Sequence, residues 1–165
     1  MTVEQMTEYL LSHNKLFDRA VIRDTDRRGR DFCEMIIKNE NLTSFPITVS
    51  VTCDGCSISV GQIENITGSD SMTPDQALSA IDDVLKDNII FVLAYKDEDD
   101  IGFGAPYLSR VFALTGGEDD MSREYLLFKK RLEPPIKKLL RPFVKLKGRF
   151  NIFNFSGSVN ETIIR

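Results

Sequence analysis

The chain has a single histidine, only three cysteines among its 165 residues, and no apolar run approaching the length of a membrane span. Each scarcity narrows the field. A lone histidine lacks the partners that ligation or general acid–base chemistry requires, and His13 sits on an apolar helical stripe, where a packed helix-end residue is the expected role. With no stretch near the roughly 20 apolar residues of a spanning helix, a soluble protein is expected. The opening Met-Thr-Val-Glu-Gln has neither a basic region nor an apolar core. The expectation is therefore no secretory or organellar signal, a cytoplasmic setting and reduced thiols.

Hydrophobic residues make up 42% and charged residues 28% of the chain, an ordinary globular composition with a pI of 5.1. A chain of this length buries about 70% of the surface its unfolded form exposes and needs no staple. A single domain over residues 1–165 is expected.

The clearest stretch runs from Thr73 to Tyr95. Thr73-Pro-Asp-Gln76 is a capping box with proline in the first helical position, so two orphan N–H groups are satisfied and Pro74 has none to satisfy. Ala77, Leu78, Ile81, Val84 and Leu85 then recur at helical spacing, and Ile89-Ile-Phe-Val-Leu-Ala-Tyr95 is apolar on both alternating faces, as in a central strand covered from both sides. A second capping box, Thr2-Val-Glu-Gln5, opens a helix with Val3, Met6, Leu10 and His13 on one stripe, ending near Asn14.

Two apolar runs, Phe17–Arg23 and Phe32–Lys38, flank the charged segment Asp24–Asp31 and predict a hairpin with a solvated loop. Residues 47–60 alternate around Asp54-Gly55, which predicts a second hairpin with Cys53 opposite Cys56 and Val51 opposite Ile58. Tyr107–Leu114 predicts a further strand. Met121, Tyr125, Phe128 and Leu132 mark a third helix, stopped by Pro134-Pro135, with a helical turn over Ile136–Arg141. Phe150–Phe155 predicts a last strand, with Ser156-Gly-Ser158 turning into the tail. The fold class is therefore α+β, a mostly antiparallel sheet with helices packed on one face, in the order α-β-β-β-β-α-β-β-α-β. Met1-Thr-Val-Glu-Gln5 and Met72-Thr-Pro-Asp-Gln76 lie 71 residues apart; a duplicated helix-strand unit would explain the spacing, but capping boxes recur because they are good helix starts and the intervening strands do not match, so independent recurrence is the plainer expectation.

Motifs that carry chemistry are few. Cys53-Asp-Gly-Cys56 has the spacing of half a zinc site or of a redox pair, but the only further soft ligands are Cys33 and His13, and the pair ends a hairpin instead of opening a helix. Buried small side chains are the plainer expectation. Asp97 and Asp99 resemble the start of a calcium loop that fails at Ile101 and Leu108, and Asp24 and Asp26 begin one that fails at Arg28 and Met35. Gly102-Phe-Gly104 does not precede a helix start and lacks the geometry of a phosphate-binding turn. No cofactor and no metal is expected.

Charge is distributed unevenly. From Arg123 to Arg149 there are ten Lys or Arg against two Glu, a net of +8, while the remainder carries eleven against twenty-three, a net of −12. Lys137, Lys138, Arg141, Lys145, Lys147 and Arg149, interleaved with Leu139, Leu140, Phe143 and Leu146, form the candidate interaction surface. The plainer alternative is that this segment packs along the acidic remainder or solvates its own face. At the level of element order the chain resembles small chaperone and immunity-type proteins, a likeness carried by no motif. The leading expectation is a non-catalytic protein-binding module of chaperone, immunity or regulatory type. The second is a nucleic-acid or other anionic-ligand binder acting through residues 137–149. The last is a thiol or metal enzyme at Cys53 and Cys56.

Overall fold

The computed structural model describes residues 1–17, 22–25, 29–41, 45–69, 71–95, 106, 108–113, 125, 127–128 and 148–164. The chain forms two compact units, Met1–Lys86 and Asp87–Arg165. It is α+β as expected, with the strands in two antiparallel four-stranded sheets.

The first unit begins with α1 (Val3–His13), whose capping box is closed: Gln5 N–H donates to Thr2 Oγ1 at 3.2 Å and Thr2 N–H to Gln5 Oε1 at 2.9 Å. Four strands follow, β1 (Ile22–Thr25), β2 (Asp31–Ile37), β3 (Ile47–Thr52) and β4 (Gly55–Val60), arranged in that order as a meander. The unit ends with α2 (Pro74–Leu85), capped by Thr73 and Gln76 as expected. Alternation decides the packing. Cys33, Met35, Ile37, Ile47, Val49, Val51, Cys56, Ile58 and Val60 share the buried face. Both helices pack on this sheet, and Met6, Leu10, Ala77, Ile81 and Val84 are buried on them. Each large aliphatic side chain removed from water in this way contributes about 1.5–3 kcal/mol. The opposite face carries Thr48, Ser50, Thr52, Ser57 and Ser59, all half-buried.

Two expectations here are corrected. The loop of the first hairpin is shorter than expected: β1 is Ile22–Thr25, β2 starts at Asp31, and Thr25 pairs with Asp31, so Asp24, Thr25 and Asp31 belong to the strands instead of the loop. Residues 18–21 lie outside the described residues. In the second hairpin the turn is Cys53-Asp54, so Val51 faces Cys56 and Val49 faces Ile58. The cause is at Gly55, which adopts φ +136° and whose missing Cβ leaves room for a neighbouring backbone: a β-carbon there would stand 2.8 Å from the Met72 carbonyl oxygen. Cys56 N–H donates to Met72 O at 2.9 Å and Met72 N–H to Cys56 O at 3.0 Å. Gly55 serves this approach and not the turn.

The second unit contains β5 (Ile89–Tyr95), β6 (Leu108–Ala113), β7 (Arg149–Phe153) and β8 (Asn160–Ile164), in the order β6-β5-β7-β8. Every residue of β5 from Ile89 to Ala94 is buried, as its continuous apolar run predicts. One face of this sheet is an aromatic and aliphatic cluster of Ile90, Val92, Ala94, Phe112, Phe150 and Ile152, joined by Phe128 and Tyr125. Tyr125, Leu127 and Phe128 are helical. The rest of the expected third helix, its proline stop and the turn over 136–141 lie outside the described residues. Where a tail was expected after β7, the chain instead turns back as β8. Asn154 closes that turn: its N–H donates to Val159 O at 3.1 Å, its Oδ1 accepts from Val159 N–H at 3.0 Å, and its Nδ2 donates to Ser158 Oγ at 2.7 Å. Asp87, at φ 58°, accepts from Ser156 N–H at 2.9 Å and ties the start of the unit to the same turn.

The two capped helices coincide at the offset of 71 residues, but the sheets are wired differently. The strand after α1 lies at a sheet edge, whereas the strand after α2 is an inner one. The likeness stops at the helix starts.

Candidate functional site

Of the six basic residues singled out, Lys137, Lys138, Arg141, Lys145 and Lys147 lie outside the described residues; Arg149 is the first residue of β7. It pairs across the sheet with Tyr95 of β5 on one side and Ile164 of β8 on the other. Period-two alternation then sets Asn151 on the same face as Arg149, with Thr162 opposite Asn151. Arg149 Nε donates to Asn151 Oδ1 at 3.1 Å, and Thr162 Oγ1 donates to the same oxygen at 3.3 Å. Asparagine is a poor strand former. At position 151 it orients the guanidinium of the preceding same-face residue.

Tyr95 is half-buried, and burial raises its phenol above the ordinary value while the Arg149 charge pulls it part of the way back. The hydroxyl is therefore protonated at neutral pH and available as a donor. Among the described residues, no carboxylate stands within ion-pair distance of Arg149 and the Tyr95 hydroxyl makes no hydrogen bond. Arg149 was legible as part of a charged run. Tyr95, Asn151 and Thr162 were not, because three strands distant in sequence bring them together; the only advance sign was asparagine alternating with aromatics after Arg149.

The cysteine pair divides. Cys53 is exposed at the hairpin turn, against the expectation that both thiols are buried, because the turn falls one residue earlier than the Asp-Gly signal suggests. Cys56 is fully buried on the helix-covered face, and burial pushes its thiol up to about 11. Since the thiolate is the nucleophile and the metal ligand, this shift disfavours both roles at neutral pH. Among the described residues no three or more His, Cys, Asp or Glu side chains come together in a group able to hold a metal ion.

His13 is corrected as well: it is exposed, not packed in the stripe. Its ring stacks on Tyr9 with centroids 4.1 Å apart, and its Nδ1 lies 2.8 Å from the Tyr9 carbonyl oxygen at the helix end. Tyr9 in turn donates to Asp75 Oδ1 at 2.5 Å, clasping α1 to the first turn of α2. That carboxylate raises the Tyr9 phenol through the hydrogen bond. The imidazole is thus a helix-end partner whose neighbours serve packing. The acidic loop over residues 97–100 and the glycines at 102 and 104 lie outside the described residues.

Comparison of the chain with protein families, curated proteins and solved structures finds no match in any of the three.

Proposed function

We propose that this protein is a non-catalytic protein-binding module that receives an acidic protein surface on the basic stretch ending at Arg149. The observation that carries the reading is the net charge of +8 between Arg123 and Arg149 in a chain whose overall net charge is −4. A stable core does not require such a segregation, whereas a charged partner does, because complementary potentials set encounter rate and choice of partner. The first unit is itself acidic, with fourteen Asp or Glu against eight Lys or Arg in Met1–Lys86. Its described ion pairs are surface pairs, Arg23 with Glu4, Arg30 with Asp54 and Lys86 with Asp82. Exposed pairs of this kind are screened by solvent and contribute little to stability.

An extended polyanion such as nucleic acid fits less well. It tracks several phosphates along one protein face and meets the field of the acidic remainder, and the chain has no motif for reading bases. The thiol reading is disfavoured by the raised thiol of Cys56 and by the separation of the two cysteines between turn and core.

The test is a charge-reversed chain, Lys137→Glu, Lys138→Glu, Arg141→Glu, compared with the parent for binding to an immobilised acidic protein surface. The expected outcome is an unchanged urea midpoint with most of the binding lost. Unfolding of the variant with unchanged binding per folded molecule would show that the basic stretch pairs with its own chain.

A further inference from the structure

We propose that Arg149 and Tyr95 form a geometry-specific element of that binding surface: a receptor for a single carboxylate of the acidic partner. The inference rests on the protein-binding reading and adds to it a site and a ligand chemistry. Net charge alone gives attraction without direction, whereas a guanidinium held in one plane gives both, because its fork matches the two oxygens of a carboxylate.

Three observations place that fork here. Arg149 starts an inner strand, with β5 on one side and β8 on the other, so its backbone is held by two ladders. Its Nε is already committed to Asn151 Oδ1, and Thr162 fixes that oxygen from the far side. The plane of the guanidinium is therefore set before a ligand arrives, and its terminal nitrogens remain the donors on offer. Finally, Tyr95 stands directly opposite on the same face, where side chains of paired residues lie about 4.5–5.5 Å apart at Cβ. Its hydroxyl is a neutral donor on the face that carries the cation. Both residues are half-buried, which strengthens a charge-assisted hydrogen bond relative to one formed in open water.

A carboxylate is the favoured anion because the donor set is small: the end-on pair of terminal N–H groups and one hydroxyl supply three of the about four hydrogen bonds that a single carboxylate accepts. A phosphodiester strand draws on repeated charges instead.

The test uses the full chain, labelled with nitrogen-15, and two probes. Sodium acetate, titrated against sodium chloride at constant ionic strength, is expected to shift the Arg149 Nε–H and Asn151 side-chain amide signals saturably. Arg149→Lys keeps the charge but loses the fork; in it the Asn151 response should vanish. With an oligoglutamate peptide, Arg149→Lys is expected to bind about tenfold more weakly with the same dependence on salt, and Tyr95→Phe a few-fold more weakly. Equal affinity of Arg149→Lys and parent for oligoglutamate, with no acetate response at Arg149, overturns the receptor and leaves the protein-binding reading standing. An acetate response without any binding of oligoglutamate by the parent supports the receptor and defeats the protein-binding reading. A larger loss on Arg149→Lys for an oligonucleotide than for oligoglutamate overturns the carboxylate assignment in favour of phosphate.

Discussion

Strands β3 and β5 are both inner strands of four-stranded antiparallel sheets, yet they are enclosed differently. In β3, Ile47, Val49 and Val51 are buried while Thr48, Ser50 and Thr52 are half-exposed; in β5 six successive residues, Ile89 to Ala94, are buried. Enclosure on one face leaves small hydroxyls free to vary on the other, and enclosure on both faces leaves no position free. The two sheets thus tolerate change in different ways, and the polar side chains on the second sheet's inner strands sit at one end of them: Tyr95 closes β5, and Arg149 and Asn151 lie where β7 begins.

The largest expected effects test that contrast directly. Val92→Ser and Leu93→Ser should each cost about 3 kcal/mol, since both remove buried aliphatic volume and bury a hydroxyl. In β3, Val49→Ser should cost a similar amount and Ser50→Ala less than about 0.5 kcal/mol. Urea midpoints of the four variants decide the matter; equal sensitivity of positions 49 and 50 would mean that the hydroxyl face is also covered.

A smaller effect concerns the Cys56 thiol on the covered face. Its folded value of about 11 stands above the ordinary 9.0, so between those values the folded chain keeps a proton that the unfolded chain has lost. Stability from this group is therefore fully present below pH 9 and falls as pH rises toward 11, by about 2–3 kcal/mol at most. Unfolding curves of the parent and Cys56→Ala across that range should converge as pH rises. In the same protein Cys53, being exposed, should react with a thiol reagent at neutral pH while Cys56 waits for unfolding.

The smallest expected effect separates two glycines of the first unit. Gly55→Ala places a β-carbon against the backbone of Ser71 and Met72 at a φ of +136° and should cost about 2 kcal/mol. Gly29→Ala, at φ +72° with nothing within 4 Å, should cost about 1 kcal/mol from backbone strain alone. Equal costs measured by urea denaturation would remove the close approach of residues 71–72 as the reason for glycine at position 55.

These examples show which parts of the fold were legible in the chain itself. Thr2 with Gln5 and Thr73 with Gln76 are local partners, so both helix starts were readable, and β5 announces its burial by composition. The second hairpin was readable in position but not in register, because Gly55 answers to Ser71 and Met72, which no local pattern connects to it. Strand β8 was missed because an exposed edge strand needs little apolar alternation. For the same reason the charge of Arg149 was visible and its neighbours were not: Tyr95, Asn151 and Thr162 meet only through the pairing of three strands.

The protein-binding reading is tested most directly by the competition of two polyanions for the full chain. Oligoglutamate and a single-stranded oligonucleotide of equal charge are titrated at an ionic strength of about 0.15 M, where the Debye length is about 8 Å and only close charges contribute. The expected result is tighter binding of oligoglutamate, lost in Lys137→Glu, Lys138→Glu, Arg141→Glu. Tighter binding of the oligonucleotide, with affinity falling steeply as salt rises, would contradict it.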